Sequence, residues 1–310
     1  MSDTLTVVIA ARDAAATLGT ALASVAGQSV LPDAVLVVDD GSTDDTARTA
    51  EAWGDLLPIT VERLPESGGL GNARAHALAL VETPLVATID ADDAWLTDHL
   101  RAMRDAHAPR TLVFARDFLW SPGAWLRASP RELPAPSSQL HELVRGNLSS
   151  ASILFARDDY ERVGGYRRSL TRTEDWDLYL RMVRDGVQIV LAAEPTLLYR
   201  ISSTSASHGY RTADTDVEVL EHALEEASDA TERGWVEHEL RRRRARRSLA
   251  RALEAGRSGR GADARRLARD AWAGGDRKTR AIASALLVAP GPATRAQSAV
   301  SRRRWSGSED

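Results

Sequence analysis

The chain contains no cysteine, so it can form neither a disulfide framework nor a thiolate metal site, and it has no cysteine nucleophile. Any metal must be held by oxygen or imidazole. No segment approaches the roughly 20 consecutive apolar residues that span a bilayer. The chain opens on a strand-like run without the basic start and long apolar stretch of a signal peptide, which makes a cytoplasmic location the default expectation. Charge of one sign is also lacking overall. A formal net charge of -4 and a pI near 6.0 give no global reason to expect a nucleic-acid partner. What is present is enough apolar material for a full core, with 43% hydrophobic residues in 310.

In the first part of the chain, short apolar runs alternate with amphipathic stretches. Leu5 to Ala10 reads as a buried strand and Ala14 to Ala26 as a helix, with Leu18, Leu22 and Val25 at helical spacing and Asp13 placed to cap it. Ala34 to Val38, Ile59 to Leu64 and Leu85 to Ile89 read as further strands, and 43–53 and 73–81 as helices. Repeated strand, turn and helix predict an α/β architecture, a mainly parallel sheet flanked by helices, with ligands at the carboxyl ends of the strands.

From about Thr111 the pattern is less regular. Apolar runs at 111–114 and 151–155 surround a loop-like stretch, Ser129 to Ser138; 158–163 and 176–184 read as helices, and 187–192 and 196–199 as strands. After about Tyr210 the composition turns to Ala, Arg, Glu and Leu with helical periodicity. The expected domains are therefore 1–210, a catalytic α/β domain; 211–289, an all-helical C-terminal region; and 290–310, a disordered tail.

Three places carry chemistry. Asp90, Asp92 and Asp93 follow a buried strand, and three carboxylates within four positions repel one another unless a cation or hydrogen-bond donors lie between them. A hard divalent ion bridging them to a diphosphate supplies that compensation; the alternative is a solvated turn with Asp93 capping a helix that begins at Ala94. The second place is Asp39-Asp40-Gly41-Ser42-Thr43-Asp44, at the end of a neighbouring strand, where a carboxylate can accept a hydrogen bond from a nucleobase. The third is Glu174-Asp175 at the start of a helix. There one member can point into a site as general base while the other caps the helix or pairs with a cation.

Together, these motifs resemble family-2 glycosyltransferases of the GT-A fold. The resemblance runs from about Leu5 to Tyr210 through Val7-Val8-Ile9, the Asp39 to Asp44 block, Glu66 to Arg74, Asp90 to Asp93, Gly164-Gly165-Tyr166 and Glu174 to Asp177. It implies an inverting transferase that moves a sugar, most simply from a UDP-sugar, to a hydroxyl of a glycan, lipid-linked or small-molecule acceptor in polysaccharide biosynthesis. It further implies that Ala10, Asp13, Asp39, Asp40, Arg74 and Asp92 bind the nucleotide-sugar, with Asp40 at the base and Asp92 at the ribose. Asp93 would bind Mn²⁺ or Mg²⁺, His208 after the last strand would complete the metal shell, and Asp175 would be the general base. One departure concerns the first strand. The usual Pro-x-Tyr-Asn is here Ala10-Ala11-Arg12-Asp13, which replaces an aromatic residue near the base with Arg12.

Two other functions share these residues: a non-catalytic nucleotide-sugar-binding protein, and a sugar nucleotidyltransferase. The latter calls for a Gly-rich basic loop after the first strand, and 10–16 has no glycine. Trp95 and Trp176 are expected in the core, and Trp120 or Trp125 are candidates for an acceptor groove. The run Arg241 to Arg247 follows an acidic stretch, Asp214 to Glu239. Pairing of acidic and basic helices is the favoured reading, and peripheral contact with the inner membrane face is the functional one.

Overall fold

A computed structural model describes residues 4–120, 127–129, 132–148, 150–201 and 212–291. The chain divides into two compact units, Met1–His208 and Gly209–Asp310. In chain order the first contains β1 (Leu5–Ala11), α1 (Leu18–Ala26), β2 (Ala34–Asp39), α2 (Thr46–Glu51), β3 (Ile59–Arg63), α3 (Leu70–Leu80), β4 (Leu85–Thr88), β5 (Ala94–Trp95), α4 (His99–Ala106), β6 (Thr111–Trp120), β7 (Arg127–Ala128), α5 (Gln139–Arg145), β8 (Ile153–Ala156), α6 (Arg157–Arg162), α7 (Glu174–Arg184) and β9 (Gln188–Arg200).

The strands form one sheet in the order β3-β2-β1-β4-β8-β6-β9-β5, with β7 beside β6. The first four strands are parallel. Val7 and Val8 on β1, and Val37 and Val38 on β2, are all buried, because both faces of this half are covered and alternation is not required. Beyond β4 the sheet is mixed: β8 runs antiparallel to β4 and β6, while β9 returns parallel to β6. Sequential βα units thus bring the ends of β1, β2 and β4 to one edge.

Three local readings are corrected. Asp13 does not cap α1, which starts four residues later than expected, after Thr17. Asp13 takes a left-handed conformation (φ 47°), and its carboxylate instead accepts from the amide and hydroxyl of Thr43. No helix begins at Ala94. Ala94 and Trp95 form β5 against Leu198 and Leu197, so Asp93 is not a helix cap. The segments 187–192 and 196–199 form one strand, β9, with a register shift opposite Pro195 and its neighbour; proline has no N–H for the ladder. Trp95 is buried as expected, and its ring stacks on His99 at 4.3 Å. His99 in turn lies 2.9 Å from the Thr196 hydroxyl and 3.0 Å from that of Ser152, and burial pushes its pKa down to about 3.

The second unit consists of α8 (Thr212–Glu225), α9 (Ala230–Arg257), α10 (Gly261–Gly274) and α11 (Arg277–Val288). Leu249 and Leu253 of α9, Ala268 and Ala271 of α10, and Ala283 and Leu286 of α11 share a core. The arginine run lies within α9, and each of its guanidinium groups has an acidic partner. Arg243 meets Asp216 at 2.5 Å and Glu239 at 2.8 Å, Arg244 meets Glu221 at 2.7 Å, and Arg246 meets Asp276 at 3.2 Å. Arg241, Arg242 and Arg247 pair with Glu237, Glu239 and Asp214. No helix among the described residues is long and apolar enough to cross a membrane. Residues 292–310 lie outside the described residues.

Candidate active site

At the end of β2, Asp39 is fully buried. One carboxylate oxygen accepts from the Ser42 amide at 2.9 Å, while the other lies 3.5 Å from Arg63 Nε and has no hydrogen-bond donor. Asp40 is also buried, but its carboxylate accepts from the Ser67 hydroxyl and from the Gly68 and Gly69 amides, at 2.7 to 3.0 Å. Its contacts hold the loop before α3, where the sequence suggests a base. Gly41 (φ 66°) allows that loop to approach, because a Cβ there would stand 2.7 Å from the Ser67 nitrogen. Ala10, half-buried at the end of β1, pairs in register with Val38; the Asp13 amide donates to Ser42 Oγ at 2.9 Å. Beside this assembly is a cavity of about 400 Å³ lined by Gly41, Ser42, Thr43, Arg63, Leu64 and Pro65.

The acidic turn follows β4. Asp90, Asp92 and Asp93 each offer a carboxylate oxygen, and these oxygens lie within 4.8 Å of one another. Asp93 is buried. One of its oxygens accepts from the Arg200 amide at 2.8 Å and the other has no donor. Burial, reinforced by Asp90, pushes its pKa up to about 9, and Asp90 is raised by burial too. Clustered carboxylates that are disfavoured as anions, with one unmatched buried oxygen, fit a hard divalent cation such as Mn²⁺ or Mg²⁺.

Arg74 connects this turn to the third place. Emerging from α3 and only 13% exposed, it donates from Nη2 to Asp90 at 2.6 Å and from Nη1 to Glu174, the first residue of α7. It is not a surface cation: each terminal nitrogen already pairs with a carboxylate. Glu174 is buried, and burial lifts its pKa to about 7 against the pull of Arg74. Gly71 permits this junction, since a Cβ there would stand 2.1 Å from the Leu170 carbonyl oxygen in the segment leading to α7.

Asp175 follows Glu174 and is half-buried. It accepts from Asn147 Nδ2 at 3.0 Å and from the Trp176 amide at 2.8 Å. Its charge raises the pKa of both Asp90 and Glu174, so it belongs to the same electrostatic cluster. Trp176 is buried, with Nε1 donating to the Leu143 carbonyl at 2.7 Å. Arg63, Asn147 and Arg200 escaped the sequence reading because no motif marks them; each becomes visible only through a partner distant in the chain. Their neighbours do not announce them. His208 and Trp125 lie outside the described residues.

The model of the family described as "Glycosyl transferase family 2" matches residues 6–132. The succinoglycan biosynthesis protein ExoU of Rhizobium meliloti (strain 1021) is 31% identical over 225 residues, covering 67% of this chain but 65% of that protein. The amylovoran biosynthesis glycosyltransferase AmsE of Erwinia amylovora is 25% identical over 190 residues, 59% of this chain and 70% of that one. Among solved structures, S. aureus TarS 1-349 in complex with UDP-GlcNAc superposes with a TM-score of 0.63 at 17% identity, over 97% of this chain and 92% of that chain. The mannosyltransferase PcManGT from Pyrobaculum calidifontis, in complex with GDP-Man and Mn²⁺, gives 0.57 at 18% identity, over 94% and 86%. With the buried acidic turn at the edge of a mixed sheet, these likenesses lead to one assignment: the chain belongs to glycosyl transferase family 2, on a GT-A fold.

Proposed function

We propose that this chain is an inverting glycosyltransferase that moves a sugar from a nucleotide-diphosphate donor, a UDP-sugar, to a hydroxyl of a glycan, lipid-linked or small-molecule acceptor. The observation that carries the reading is the linkage of two carboxylate groups through Arg74: the acidic turn at Asp90 and the α7 start at Glu174-Asp175. One group suits the donor and the other the acceptor. The first relatives are named for polysaccharide biosynthesis, which supports that setting.

In this reading the cavity beside Gly41 and Arg63 takes the base, framed by Asp39, Ala10 and Asp13, with Asp40 bracing the loop that closes it. Asp92, the most open of the three turn carboxylates by its contacts, meets the ribose. Asp93, with Asp90, would hold Mn²⁺ or Mg²⁺, which when bound neutralises charge on the departing diphosphate. Asp175 takes the proton of the acceptor hydroxyl as its oxygen attacks the anomeric carbon, and the bond to the diphosphate oxygen breaks on the opposite face. Asn147, donating to one Asp175 oxygen, fixes the direction of that carboxylate.

The test is incubation with a panel of nucleotide-sugars and Mn²⁺ or Mg²⁺. Release of nucleoside diphosphate that stops on chelation is expected. No release from any donor would sink the proposal, and release of pyrophosphate would point instead to nucleotidyl transfer.

A further inference from the structure

Two arginines stand against the acidic turn, Arg74 beside Asp90 and Arg200 beside Asp93. Their situations differ. Arg74 has committed both terminal nitrogens, one to Glu174 and one to Asp90. Arg200, the last residue of β9, is fixed by other parts of itself: its backbone amide donates to Asp93 at 2.8 Å, and its Nε donates to the Asp92 carbonyl, also at 2.8 Å. Its guanidinium lies over the ring of Trp120, 4.1 Å from the centroid, where Trp120 of β6 is its register partner. These contacts set the plane and direction of the guanidinium. They leave Nη1 and Nη2 without a protein acceptor among the described residues.

A guanidinium held by Nε and stacked on an aromatic face presents its terminal N–H groups as a preorganised fork, the geometry that matches phosphate oxygens. Charge points the same way. Asp90, Asp92, Asp93, Glu174 and Asp175 crowd this region, and Arg74 is already shared between two of them. Adding a donor diphosphate brings about two further negative charges to a region that already disfavours them. A second cation with free donors is called for beside the turn.

We propose that Arg200 binds the diphosphate of the donor, its terminal N–H groups holding phosphate oxygens beside Asp92 and Asp93 in the substrate and in the departing nucleoside diphosphate. The proposal rests on the glycosyltransferase reading and gives to Arg200 the nucleotide-facing role that the family resemblance suggests for Arg74. The electron pair of the broken sugar–oxygen bond remains on the phosphate that Arg200 holds, and the acceptor proton goes to Asp175.

The experiment compares UDP with uridine on the full chain in the presence of Mn²⁺, by calorimetry for UDP and ligand-observed NMR for uridine. In Arg200→Gln, UDP affinity should fall roughly 10- to 100-fold, the loss expected for charge-assisted hydrogen bonds, while uridine binding stays within about threefold. Mn²⁺ binding, followed by electron paramagnetic resonance, should persist. Unchanged UDP affinity, or equal losses for UDP and uridine, would overturn the role; equal losses would leave Arg200 as a brace for the turn. If Arg200→Gln melts well below the wild type, Arg200→Lys is read instead. It keeps the charge without the fork, so a smaller but selective loss for UDP supports the proposal, and none overturns it. Wild-type protein that binds neither UDP nor GDP contradicts the glycosyltransferase reading itself, which separates the two failures.

Discussion

Asp93 concentrates the electrostatic tension of the site in one side chain, with one oxygen bonded to the Arg200 amide and the other buried without a donor. Its pKa is raised from 3.8 to about 9, so without metal the fold favours the protonated form. That contribution to stability is fully present below 3.8 and is lost as pH rises through 9. Cation binding requires the carboxylate and so displaces a proton. Mn²⁺ affinity should therefore climb by about tenfold per pH unit between roughly pH 6 and 8.5, and Asp93→Asn should bind weakly with little pH dependence. Titration of free Mn²⁺ by electron paramagnetic resonance checks this, and a flat profile in the wild type would contradict it. The closeness of these carboxylates was legible in the sequence because three of them fall within four positions after a buried run. The partners of Arg74 were not: Glu174 is 100 residues away, and nothing in a helix-face arginine announces a buried double contact. The tie of Asp40 to the Ser67 to Gly69 loop was likewise not legible, because its partners lie 27 to 29 residues away.

At the scale of elements, hydrophobic runs located the parallel strands well, because burial on both faces leaves continuous apolar segments. Elements whose limits depend on distant partners were harder to read. The start of α1 is set by the tie of Asp13 to Thr43, and β5 exists only because β9 pairs with it. In the helical unit, charge bias suggested pairing of acidic and basic helices, and α9 carries it out by binding carboxylates of α8 and the α11 cap. Asp276 joins two of these roles: it accepts from the Thr279 amide at 2.8 Å as the cap of α11, and it faces Arg246 at 3.2 Å. Asp276→Ala should destabilise this unit by about 1 kcal/mol, mainly through the lost cap, measurable as a lowered melting temperature. Because the cap depresses the Asp276 pKa from 3.8 to about 2, its contribution is present above 3.8 and disappears as pH falls through 2. The difference between wild type and variant should shrink over that interval.

For the whole molecule, the useful consequence of the sheet order is convergence. The ends of β1, β2 and β4 lie side by side, β9 ends against the acidic turn, and α3 joins that turn to α7. Candidate residues from 10 to 200 are thereby brought to the same end of the sheet, although the family model itself matches only 6–132 and leaves Glu174, Asp175 and Arg200 outside it. That division explains what sequence could offer. The motifs proposed for the donor are compact and local, whereas the proposed acceptor side rests on a two-residue motif whose meaning depends on where α7 is held. The most direct test of the account is the turnover of Asp175→Asn beside its donor affinity, measured with the donor and metal that support wild-type activity. Turnover should fall at least about 100-fold, the usual range for loss of a general base, while donor affinity stays within about threefold. Turnover close to wild type, with the donor bound as before, would contradict the assignment of Asp175 and the transfer mechanism built on it.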